Sequence, residues 1–162
     1  MLSAGFEERE DRVESDPTQP DRCPEAGCDA RRGDAVKRSV AAVGPLGADE
    51  AWERYAVVGR WPSWAPPIRR VEASASRLEP GMTGVVHGPL GVRVTFEVET
   101  VDEPARTWTW RVRSGPIRMR LEHAVLPTAS GGSATTLTVE GPGAVVLLYP
   151  EVARIALHQL VS

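Results

Sequence analysis

The chain has 162 residues, 41% of them hydrophobic and 25% charged, with 15 Gly, 14 Pro, two Cys and a net charge of -3. This length suits one domain with a real core, and the composition excludes collagen-like, wholly disordered and disulfide-dense miniprotein classes. No run of about 18 apolar residues is present, so no membrane span is expected, and the acidic residues 1–16 do not read as a signal peptide. The expected location is the cytoplasm.

Residues 1–34 carry ten acids against five Arg, a balance of -5, while the remainder holds twelve acids against fourteen bases. With three Pro and no apolar periodicity, the opening segment cannot offset the ordering entropy of a packed state. The expected organisation is a disordered acidic tail over 1–34 and one folded domain over 35–162. Cys23 and Cys28 fall in the tail as Cys-x4-Cys, with no further Cys or His near in sequence. Free thiols are the preferred reading over a disulfide, and no metal site is expected. The body is close to neutral, which gives no electrostatic case for nucleic acid.

The body opens with a strand, Val36 to Val43, ending at Gly44-Pro45-Leu46-Gly47. Ala48 to Ala56 follows as a short amphipathic helix, with Trp52, Tyr55 and Ala56 at i, i+3 and i+4 and two acids in its first turn. A second short helix starts near Pro62 and stops near Pro66. After Pro67 the period switches to two. Strands are predicted over Ile68 to Ser76, Thr83 to His87, Val92 to Val101, Arg106 to Ser114, Arg118 to Leu126 and Ala134 to Glu140, separated by Gly- and Pro-containing turns. Short links make these seven strands largely antiparallel. A last helix over Ala144 to Val161, with Val152, Ile155, Ala156 and Leu160 in one stripe, would cover their dry face.

Alternation assigns that face. Val92, Val94, Phe96 and Val98 lie on it, with Trp108, Trp110 and Val112, and with Met119, Leu121, His123 and Val125. Arg93, Arg111, Arg113, Arg118 and Arg120 cluster on the wet face among Glu97, Glu99 and Glu122, the pattern of a solvated face with cross-strand ion pairs.

Trp52, the run Arg60-Trp61-Pro62-Ser63-Trp64-Ala65-Pro66, the Pro80-Gly81-Met82-Thr83-Gly84 turn, Arg106 to Arg111 and Arg120 to Val125 together resemble the SRPBCC (START/Bet v 1-like) superfamily, specifically its polyketide cyclase/dehydrase-type members. The likeness covers roughly Val36 to Val161. It implies an α+β helix-grip fold, a seven-stranded antiparallel curved sheet around a C-terminal helix with two short helices between strands one and two, enclosing an apolar cavity.

His123 is the His expected on the dry face, either hydrogen-bonded within the core or touching a ligand. His87 and His158 read as surface residues. No Gly-x-Ser-x-Gly element is present, and no spacing singles out a triad. The cavity that the resemblance implies would be lined by Trp61, Trp64, Phe96, Trp108, Trp110, Met119, Leu121, His123 and Ile155. Two functions follow: binding or carriage of a small hydrophobic, aromatic or lipid-like ligand, or a polyketide cyclase or dehydratase using acid/base assistance. An enzyme would need two or more inward titratable groups, and only His123, with Tyr55 or Tyr149, offers itself. No cofactor is expected, and the expected partner is a small hydrophobic ligand. A protein-interaction role is the third reading.

Overall fold

The computed structural model describes residues 35–162, apart from the side chains of residues 147–152. The expectations for the acidic tail and its two Cys lie outside the described residues. Seven strands form one antiparallel sheet: β1 (Ala35–Gly44), β2 (Arg70–Ala73), β3 (Thr83–His87), β4 (Arg93–Asp102), β5 (Thr107–Ser114), β6 (Ile117–Pro127) and β7 (Ser133–Pro142). Their order is β1-β7-β6-β5-β4-β3-β2. Helices α1 (Ala48–Ala56) and α2 (Trp61–Trp64) lie between β1 and β2, and α3 (Gly143–Leu160) closes the chain.

The alternating sequence sets the two sheet faces. Trp108, Trp110 and Val112 are buried on β5 while Arg111 and Arg113 are exposed, and the register pairs Trp108 with His123, Trp110 with Leu121 and Val112 with Met119. The alternation of β4 breaks once: the register shifts between Val98 and Thr100. This bulge returns Val101 to the side of Trp108 and leaves Glu99 on the outer face, where it meets Arg111 at 2.7 Å and Arg120 at 2.6 Å. The outer arginines are thus partly matched by acids across the strands.

Helix α1 buries Ala51, Trp52, Tyr55 and Ala56, as its period requires. Its outer side is tied to the β2–β3 and β4–β5 connections. Arg106 binds Asp49, and Arg77 bridges Glu53 at 2.9 Å and Glu103 at 2.7 Å. The hydrogen bonds from Arg77 hold the Glu53 carboxyl below the usual carboxylate range.

Helix α3 lies against β1 and β7, burying Val146, Ala153, Leu157 and Leu160. Its end approaches β1 so closely that a Cβ on Gly44 would sit 2.2 Å from the Val161 carbonyl oxygen, which accepts the Leu46 N–H at 3.0 Å. Of the expected stripe, Leu160 is buried and Ala156 packs against the core, but Ile155 departs from it. Ile155 is 59% exposed, because it stands about 160° around the helix from Leu157, on the side away from the sheet. Strand β2 is also shorter than the expected Ile68 to Ser76, spanning Arg70–Ala73, with Arg69 and Ser74 each donating one further N–H to β3. Among the described residues no helix is long and apolar enough to cross a membrane.

Candidate functional site

The inner sheet face, α2 and α3 do not meet completely. They leave a cavity of about 380 Å³, within the ~300 to 1,000 Å³ usual for small-molecule sites. One end is aromatic, formed by Tyr55, Trp61, Trp64, Trp108, Trp110 and His123. The walls are aliphatic: Val86, Val94, Val112, Met119 and Leu137 from the sheet, and Ala153, Ala156 and Leu157 from α3. The other end carries Pro67, Ile68, Gly88, Pro89 and Val92. Pro89 and Val92 also face solvent, so the cavity opens there.

The aromatic end is a cage of mutually packed rings. Trp108 stacks on His123 with centroids 4.5 Å apart and planes 8° from parallel. Tyr55 stands edge-on to Trp64, Trp108 and His123 at 5.2, 5.8 and 5.0 Å, and Trp61 packs on Trp108 and Trp110 at 5.7 and 5.4 Å. Such pairs contribute ~0.5 to 1.5 kcal/mol each beyond burial.

The hydrogen bonds of the cage have one consistent direction. An indole N–H can only donate, so the 3.1 Å contact from Trp110 Nε1 makes His123 Nε2 the acceptor and places the imidazole proton on Nδ1. That N–H donates to the Tyr55 hydroxyl oxygen at 3.2 Å. The Thr135 hydroxyl donates to the Ala124 carbonyl at 3.2 Å, so Thr135 accepts the Tyr55 O–H at 3.1 Å. Trp61 Nε1 donates to the Tyr55 carbonyl at 2.8 Å, and Trp64 Nε1 to the Arg54 carbonyl at 3.0 Å. Both His123 nitrogens are therefore engaged by protein. Burial pushes the imidazole down to about 3, which leaves it neutral near pH 7. The Trp108 Nε1 has no hydrogen-bond partner among the described residues and essentially no accessible surface.

Of the residues expected to line a cavity, Trp61, Trp64, Trp108, Trp110, Met119 and His123 do border this one. Phe96 and Leu121 are buried but stand behind the lining, Phe96 packing on Trp61 and Trp110 at 5.8 and 5.5 Å. Ile155 points away, as described above. The Tyr149 side chain is outside the described residues. His158 is exposed, whereas His87 is half-buried, its Nε2 3.5 Å from a Glu72 oxygen. Val86, Val112 and Leu137 were available to sequence reasoning as inward members of alternating strands. Ala153 and Leu157 required the phase of α3, which its nearly continuous apolar sequence does not specify.

The curled antiparallel sheet, the C-terminal helix and the two short helices after β1 define an α+β helix-grip fold. Residues 36–159 match the family described as polyketide cyclase / dehydrase and lipid transport, and the chain belongs to this family, within the SRPBCC superfamily. Two solved structures show the same fold. Ara h 8.0201 is 14% identical with a TM-score of 0.65, covering 78% of this chain and 95% of that one. A structural-genomics target from Nitrosospira multiformis is 16% identical with a TM-score of 0.66, covering 78% and 94%. A search of curated proteins returns no match.

Proposed function

We propose that this domain binds a neutral, mainly hydrocarbon ligand, aromatic or lipid-like, in its cavity, and serves as a binding or carrier protein. The observation that carries this reading is the state of the polar groups at the aromatic end. Each indole N–H, imidazole nitrogen and hydroxyl that could hold a ligand oxygen is already taken by protein or has no accessible surface. A polar ligand entering this space would lose its water contacts without replacement, at a cost of about 1 to 3 kcal/mol per unpaired group, whereas apolar surface gains about 25 cal/mol per Å² buried. The family's printed description includes lipid transport, which agrees with this ligand class.

The cyclase or dehydratase reading needs an acid/base group at the substrate. His123 would be that group, but it is neutral and its nitrogens are spent on Trp110 and Tyr55, which favours binding over proton transfer. The test is a titration of the full chain with diphenylhexatriene, a neutral hydrocarbon probe. Saturable binding with loss of Trp emission is expected, and Ala156→Trp, which places an indole on the cavity wall, should abolish it without unfolding the domain. Absence of saturable binding by the wild-type chain would overturn the reading.

A further inference from the structure

The mouth of the cavity carries a feature that ligand binding does not require. The β3–β4 connection, Gly88 to Val92, ends in a fully exposed leucine: Leu90 is 103% exposed, and Val92 beside it 48%. Leu90 takes φ 56, in the left-handed region that leucine disfavours, and Gly91 follows at φ 76. Pro89 is exposed as well, and the neighbouring segment adds exposed Pro66 and half-buried Pro67 and Ile68, with Gly88 lying against the Pro67 carbonyl. The backbone thus holds an apolar tip clear of the domain at the cavity opening.

Cations flank the tip on these strand ends. The register sets Arg70, His87 and Arg93 in one row at the base of the connection, and the Arg69 N–H donates to the His87 carbonyl. Glu72 is paired with Arg70 at 2.6 Å. Arg69 and Arg93 are exposed and make no ion pair among the described residues. An apolar projection beside unmatched arginines fits an interface that is hydrocarbon inside and anionic outside.

We infer that the Gly88–Val92 connection docks the domain on anionic lipid bilayers, Leu90 and Val92 entering the acyl boundary while Arg69 and Arg93 meet lipid phosphates. Docking there sets the cavity mouth against the bilayer, so a lipid-like ligand passes between membrane and cavity without crossing water. The inference rests on the proposed hydrophobic-ligand reading for its purpose, though not for its observable.

The experiment is flotation of the full chain with vesicles of phosphatidylcholine and phosphatidylglycerol in equal parts, against pure phosphatidylcholine. The wild type should float with the mixed vesicles and weakly with the neutral ones, and less as salt rises. Leu90→Asn keeps a residue that tolerates the left-handed backbone and should cut partitioning about tenfold. Arg69→Gln with Arg93→Gln should remove the preference for anionic vesicles. No flotation with mixed vesicles, or flotation unmoved by Leu90→Asn, overturns the inference. So does a concentration-dependent dimer abolished by Leu90→Asn, which would make the tip a contact between copies. Diphenylhexatriene titration of the same proteins keeps the two readings apart. Intact probe binding without flotation removes docking alone, and failed probe binding by the wild type removes the cavity reading.

Discussion

The two ends of the cavity are built on opposite plans. The aromatic end draws its rings from α1, α2, β5 and β6, with both His123 nitrogens engaged by protein and Trp61 and Trp108 each 2% exposed. The mouth draws on two connections rich in Pro and Gly, with aliphatic side chains partly or wholly in solvent. Close packing makes the first end intolerant of volume change, and the second has little burial to lose. Stability resides in the aromatic end, and the opening of the cavity lies at the mouth.

The largest contrast should come from truncating one side chain at each end. Trp61→Ala removes a fully buried ring that touches Phe96, Trp108 and Trp110 and also removes the indole donor to the Tyr55 carbonyl. It should cost ~3 to 5 kcal/mol. Val92→Ala, at a half-exposed position, should cost under ~1 kcal/mol. Urea unfolding of the two variants measures the difference, and equal losses would break the division.

A smaller effect, with a pH signature, is expected at His123. His123→Phe leaves the Trp110 N–H without an acceptor and removes the donor to Tyr55, so it should destabilise by about 2 to 4 kcal/mol near neutral pH. The histidine's folded value of about 3 lies below its unfolded value of ~6.5. The unfolded chain therefore binds a proton that the native state refuses. His123 contributes no penalty above pH ~6.5, and its penalty grows as pH falls from there toward 3, reaching about 2 kcal/mol at pH 5. The stability gap between wild type and His123→Phe should narrow by that amount between pH 7 and pH 5. A gap that stays constant would mean that the imidazole is not held neutral.

These expectations also mark what the sequence discloses. The alternation of Thr107 to Arg113 and Arg118 to Val125 places Trp108, Trp110, Met119 and His123 on one face because a strand's period of two leaves little freedom. The short helix Ala48 to Ala56 is legible from its stripe and acidic first turn, and its bounds agree with α1. The network is not legible. Tyr55 and His123 are 68 residues apart, and their contact depends on how α1 is carried across β6. The bulge at Glu99 was hidden because Val98 and Val101 each look like members of an unbroken strand. The phase of α3 is legible only in part: Ala156 and Leu160 lie inward as expected, but a helix apolar on most sides offers several stripes, and only packing on β1 and β7 selects the one that adds Ala153 and Leu157 and leaves Ile155 out.

The smallest expected effect probes the mouth, and its sign is the informative part. Leu90 is fully exposed, so Leu90→Asn forfeits almost no burial in the free protein. Asn adopts φ near 56 more readily than leucine does, since its short polar side chain bonds locally to the backbone. The variant should be as stable as the wild type or more stable by up to ~1 kcal/mol, with a thermal midpoint unchanged or raised by a few degrees. If it is instead less stable by more than ~1 kcal/mol, Leu90 packs on the domain in solution. The mouth would then share the plan of the aromatic end, and the apolar tip would have no free surface to present.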